Sequence, residues 1–200
     1  MKVTDILMNE HRVIEQVLNC LEAMANTAAR NGRLDDKAAR QAVDFFRHFA
    51  DRCHHGKEET HLFTWMEAHG FSRDEGPTGV MLHEHEQGRT QVQGMEQAID
   101  QAAQGNPAAL QQFITHARYY IALLREHIDK EDHCLFPMAA NAMSEKDAAD
   151  LELKFEKTEA EDMGAGAHEK YLRIADALAE QYHVSKAQID HHSIKGCCHH

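Results

Sequence analysis

Proline is scarce in this chain: three residues in 200, at Pro77, Pro107 and Pro137. Proline breaks helix interiors, so the long proline-free stretches between and beyond these positions permit long helices. Apolar runs are short. None approaches the roughly 20 residues that a membrane-spanning helix needs, which excludes that class. Positive charge is also in deficit, with 21 Lys and Arg against 33 Asp and Glu and a net charge of -12. No basic footprint exists for nucleic acid. The five cysteines (Cys20, Cys53, Cys134, Cys197, Cys198) are odd in number and irregularly spaced, unlike a disulfide framework. The opening MKVTDILMNEHRV has neither a long apolar run nor a small-residue cleavage site, so it is not read as a secretory signal. The expectation is a soluble cytoplasmic protein with no nucleic-acid or membrane partner.

What remains is rich in Ala, Glu, Gln, Leu and Met, all good helix formers, and in histidine, with 17 residues. Apolar periodicity predicts four long helices. The first runs from about Thr4 to Ala29 and stops at Asn31-Gly32. The second runs from Asp35-Asp36 to His69-Gly70. Pro77 opens the third, which reaches about Gln104, and Pro107 opens the fourth, which reaches about Met143. Proline suits a helix's first turn and glycine its end. Short loops make the four antiparallel neighbours. The expected architecture is therefore all-α: an up-down four-helix bundle over residues 1–143. An accessory C-terminal helical segment follows over 144–182, with a break at Gly164-Ala165-Gly166. A flexible His/Cys tail covers 183–200.

The second and fourth helices share a ten-residue pattern. Residues 54–63 read HHGKEETHLF and residues 127–136 read HIDKEDHCLF, identical at His54/His127, Lys57/Lys130, Glu58/Glu131, Leu62/Leu135 and Phe63/Phe136. Two similar amphipathic helices would share Leu and Phe, but not a His and a Glu four apart. Residues four apart lie on one helix face. Here that face is apolar: Phe46, Ala50, His54, Glu58, Leu62 and Trp65 on one helix; Phe113, Ala117, Tyr120, Leu124, His127, Glu131, Leu135 and Met138 on the other. Buried carboxylates are normally paired or coordinate metals. In the first helix His11 interrupts the stripe of Leu7, Ile14 and Leu18; in the third His85 interrupts that of Met81, Val92 and Met95. Every core face thus carries a histidine. Bundle metal sites are built this way, from inward Glu and His on facing helices.

These residues resemble the hemerythrin family of HHE-type cation-binding proteins. The resemblance covers roughly residues 4–142. Its elements are Glu10-His11-Arg12, HHGKEETHLF, Gly76-Pro77 followed by MLHEHEQGR, and HIDKEDHCLFP. It implies metal ligation by His11, His54, Glu58, His85, His127 and Glu131. The oxygen-carrying members have a His pair four apart on the third helix; here the flanking positions are Met81 and Arg89. They also have His-x4-Asp on the fourth helix, against His-x3-Glu here. One imidazole fewer implies more open coordination and argues against reversible oxygen carriage. The chain looks closer to bacterial hemerythrin-like proteins tied to iron handling, oxidative or nitrosative stress and gas sensing.

Other residues compete for roles. His55 and Glu59 are also four apart, but on a mostly polar stripe, and are read as flanking or outer groups. Glu59→Ala is then expected to keep the metal and Glu58→Ala or Glu131→Ala to lose it. His83 faces solvent. Glu15, Glu84 and Asp132 are read as surface acids, although outer carboxylates often orient metal-bound His. Cys134 is read as a buried thiol near the site, Cys20 and Cys53 as packing, and His168 as packing beside Tyr171, Leu172 and Ala175. The tail Cys197-Cys198-His199-His200 suits a soft metal ion or is incidental.

Nitrogen and oxygen donors without thiolate suit Fe or Mn and also accept Zn. Two potentially bridging Glu favour two ions. The expected cofactor is a pair of irons, bridged by carboxylate and by an oxo or hydroxo group, with Zn or Mn as substitutes. The preferred function is a non-haem di-iron binding protein that meets O2, NO or peroxide as sensor, scavenger or iron handler. The alternatives are a di-iron oxidase or peroxidase, and a structural Zn-binding bundle. No general base or substrate pocket can be named, so enzyme status stays open.

Overall fold

A computed structural model describes residues 3–74, 76–164 and 166–188. Residues 189–200, with the Cys197-Cys198-His199-His200 motif, lie outside the described residues. Among the described residues there is no strand; the chain is a helical bundle with additional C-terminal helices. We number them α1 (Val3–Asn31), α2 (36–68), α3 (Pro77–Ala103), α4 (107–142), α5 (145–163) and α6 (Ala167–Tyr182).

Local chemistry sets the boundaries. The Asp35 side chain accepts from the Ala38 amide at the start of α2. Asn106 accepts from the Ala108 and Ala109 amides at the start of α4. Such caps satisfy amides that the first turn leaves without partners. Gly32, Gly70 and Gly105 follow α1, α2 and α3 with positive φ, a conformation that costs glycine little. Ser144 and Asp147 cap the start of α5 reciprocally.

The long helices are not uniform. α2 carries π-helical turns over Phe46–His55 and Glu58–Leu62, and α4 one over Glu131–Leu135. A π turn bonds i to i+5 and packs an extra residue into each turn, so the inward face shifts along the helix. Past Glu131 the register therefore moves. Phe136 and Ala139 are buried, while Met138, which the 3.6-residue stripe turns inward, is 43% exposed. In α2, Phe63 and Met66 are buried and Trp65 is half-buried. Cys134 is exposed, for the same reason; the expectation of a buried thiol there is wrong.

The core falls into two apolar clusters. The larger fills one end of the bundle, from Val13 and Phe45 to Phe113 and Leu124, and is roofed by Tyr171, Ala175 and Leu178 of α6. The smaller fills the other end, from Leu7, Phe63, Met81 and Phe136 to Leu151 and Phe155 of α5. Along each bundle helix the polar interruption lies between the two: His11 between Leu7 and Ile14, His54 between Ala50 and Leu62, His85 between Met81 and Val92, His127 between Leu124 and Leu135. The helices after the bundle thus close the layers on either side of the histidines.

Candidate metal centre

The structure brings His11, His54, Glu58, His85, His127 and Glu131 together in the bundle centre, all buried. Two groups of donors form there. His11, His54, Glu58 and Glu131 make one; His55, Glu58, His85 and His127 make the other, with the donor atoms of each group within 4.8 Å of one another. Glu58 belongs to both. The His54 and Glu58 side chains meet at 3.4 Å across one helical turn, and those of His127 and Glu131 at 3.2 Å. His85 Nε2 and His127 Nε2 lie 3.1 Å apart.

His55 is the departure from the sequence reading. It is buried, its ring stacked on that of His85 at 3.8 Å between centroids. The π turn that ends at His55 is the physical reason. It reduces the angular step between neighbours, so His54 and His55 both face inward, one toward each group. The imidazole expected to be missing at Met81 is replaced from the neighbouring helix, and the centre holds five imidazoles.

The supports are equally regular. Each imidazole presents Nδ1 to a carboxylate: His11 to Asp132 at 2.7 Å, His54 to Glu10 at 2.9 Å, His85 to Glu59 at 2.7 Å, His127 to Glu84 at 2.9 Å and His55 to Asp51 at 3.4 Å. A carboxylate at Nδ1 places the proton there and leaves the Nε2 lone pair facing the centre. Each carboxylate in turn meets a cation. Arg12 pairs with Asp132, Lys57 with Glu10, Lys130 with Glu84, and Arg89 with both Glu59 and Asp51. Glu84 and Asp132 are therefore site supports rather than surface acids, while Glu15 pairs with Arg12 at the surface. His83 is exposed beside Gln87.

This network is an internal repeat. Glu10-His11 on α1 corresponds to Glu84-His85 on α3; His54, Lys57, Glu58 and Glu59 on α2 correspond to His127, Lys130, Glu131 and Asp132 on α4. The acid before each odd-helix His supports the His of the next helix. The acid after each Glu of the pair supports an odd-helix His. The shared Lys57/Lys130, visible in the two windows, was the sequence signal for these supports. His55 breaks the symmetry, because its counterpart is Ile128.

The electrostatics of the centre favour a cation. His11 Nε2, His54 Nε2 and both oxygens of Glu58 and of Glu131 are buried without a hydrogen-bond partner. Each such atom costs about 1–3 kcal/mol if left alone. Burial and the charge of Glu131 hold the Glu58 carboxyl well above the usual range. Burial opposes ionisation of Glu131 too, but His127 and His11 hold it well below that range. Buried atoms of this kind, nitrogen and oxygen donors only, fit metal cations.

A model of the hemerythrin HHE cation-binding domain matches residues 2–139. The chain belongs to that family. The match ends within the last turn of α4, and α5 and α6 lie beyond it. Two curated relatives, the uncharacterized proteins Rv1995 of Mycobacterium tuberculosis (strain ATCC 25618 / H37Rv) and Mb2018 of Mycobacterium bovis (strain ATCC BAA-935 / AF2122/97), are each 25% identical over 171 residues. The alignment covers 85% of this chain and 66% of each relative, so the chain spans just under two thirds of their length. No solved structure matches the chain. Among the described residues no helix is long and apolar enough to cross a membrane.

Proposed function

We propose that the centre holds two iron ions and that the protein is a non-haem di-iron protein acting on O2, NO or peroxide. The observation that supports this reading most is the pair of four-donor groups sharing Glu58. One tetrahedral ion would leave three or more buried donors orphaned; two ions use them all. His11 and His54 would hold one ion, His55, His85 and His127 the other, with Glu58 and Glu131 between them. Iron supplies one-electron chemistry and an affinity for diatomic and peroxidic ligands. Zinc or manganese suits the same donors.

The chain's own residues then have defined tasks. The five carboxylates at Nδ1 orient the imidazoles. Phe136, stacked on His11 at 5.4 Å, and the apolar layers on either side exclude bulk water. The group around His11 and His54 offers one imidazole fewer than the other, which would leave more room there for a small ligand. A cavity of ≈ 320 Å³ opens between α2 and α3 against His55, beside Asp51, Gly88, Arg89 and Tyr120. Its size admits small molecules to the edge of the centre. The remaining assignments go with this one: a cytoplasmic setting, a bundle domain over 1–143 and an accessory segment over 144–182.

Protein purified without oxygen is expected to carry two irons per chain and to gain a charge-transfer absorption band on oxidation. Separate additions of O2, NO and H2O2 then identify the ligand. A single zinc with no spectral response to any of the three would sink the proposal.

A further inference from the structure

Besides His55, the two halves of the support network differ in the setting of their shared lysine. Lys130 is 39% exposed and pairs with Glu84 at the protein surface. Its counterpart Lys57 is 0% exposed. Lys57 Nζ lies 2.5 Å from Glu10 Oε1 and 3.0 Å from Glu159 Oε2. Glu159 belongs to α5, outside the matched residues 2–139. It is fixed in turn by the neighbouring His168, whose Nδ1 is 3.0 Å from Glu159 Oε1. One residue earlier, Thr158 Oγ1 meets His61 at 2.7 Å. The added helices thus reach the support of His54.

A buried ammonium needs compensating charge. Glu10 divides its two oxygens between Lys57 and His54 Nδ1. With Glu159 on its other side, Lys57 has a second anion and draws less on Glu10. Without that charge, Lys57 leans on Glu10 alone, and less of the Glu10 charge remains for His54. Weaker acceptance at Nδ1 lowers the basicity of Nε2 and loosens the ring.

We infer that Glu159 is a positioning residue for His54, acting through Lys57 and Glu10. The segment after the bundle therefore tunes the ion at His11 and His54 and leaves the ion at His85 and His127 alone. This rests on the two-ion reading above.

Cobalt(II) titration of the full-length, metal-free protein without oxygen separates the two ideas through the visible bands of bound cobalt. Wild type is expected to take up two equivalents. Glu159→Gln should weaken one of them about tenfold, the low end for outer carboxylates, with the other unchanged. Glu159→Asp should recover part of the loss. Glu161→Gln, at an exposed acid one turn-fraction away that pairs with Lys157, should match wild type. In a His55→Ala background the equivalent that remains should be the sensitive one. Circular dichroism melts of the metal-free variants report folding. Two unchanged equivalents in Glu159→Gln, or equal weakening of both with a lower melting temperature, would overturn the inference. Uptake of a single equivalent by wild type would overturn the two-ion reading, and the inference with it.

Discussion

Glu58 contributes to both donor groups, with its two oxygens buried and without hydrogen-bond partners. Left alone, those atoms weigh against the metal-free fold, and both are free to meet a cation. Glu58→Leu should abolish uptake of both ions while stabilising the metal-free protein by about 1–3 kcal/mol, since a buried carboxyl without hydrogen-bond partners gives way to apolar packing. Metal analysis and a urea melt of the same sample check both halves; a variant that still holds two ions refutes the shared role. His55 has a narrower task. His55→Ala is expected to lose one ion of two, by metal analysis after dialysis. Glu59, read from sequence as dispensable, accepts from His85 Nδ1. Glu59→Ala should therefore weaken binding roughly 10–100-fold rather than leave it intact.

At the scale of elements, the π turns of α2 and α4 re-aim side chains, and α5 and α6 close the two apolar layers. Phe155 of α5 is buried in the apolar layer beneath the histidines. Phe155→Ala should cost about 3–5 kcal/mol, the usual range for a buried Phe; a chemical denaturation curve measures it. His168 of α6 faces Glu159, with Lys57 and Glu10 behind that carboxylate. Burial works against protonation of His168, but Glu159 raises its pKa above the ordinary 6.5. A raised folded pKa contributes stability that is full below 6.5 and disappears as pH rises through the folded value. His168→Gln should therefore lose more stability relative to wild type at pH 6 than at pH 9. Denaturation curves at the two pH values test this, and equal losses would refute it.

For the molecule as a whole, bound metal and folding are linked. Binding to the folded state alone adds RT ln(1 + [L]/Kd), about 4 kcal/mol when free metal is a thousandfold above Kd. For a chain of this size that corresponds to roughly 8–16 °C in Tm. Calorimetry before and after chelation should show a shift of this order. The shift should be absent in Glu58→Leu. The family model stops at residue 139, yet the smaller core layer is incomplete without Leu151 and Phe155, and the larger without Tyr171 and Leu178. The bundle of this protein is therefore built together with its added helices.

Period, caps and turn residues were enough to read the helices and their boundaries, because these depend on neighbours a few residues apart. His54, Glu58, His127 and Glu131 were legible for the same reason: a spacing of four on an apolar stripe needs no partner to be recognised. His55, Met138 and Cys134 were not, because a π turn departs from the 3.6-residue period on which every stripe depends. The repeated Glu-His and His-Lys-Glu elements were in view as letters. Their pairing across helices, Glu10 with His54 or Asp132 with His11, joins residues 44 and 121 positions apart. The reach of Glu159 to Lys57 spans 102. Local spacing picked out six of the seven donors that gather at the centre; only the tertiary structure, through a π turn and the helix packing that sets distances between remote residues, added His55 and decided how the donors are held.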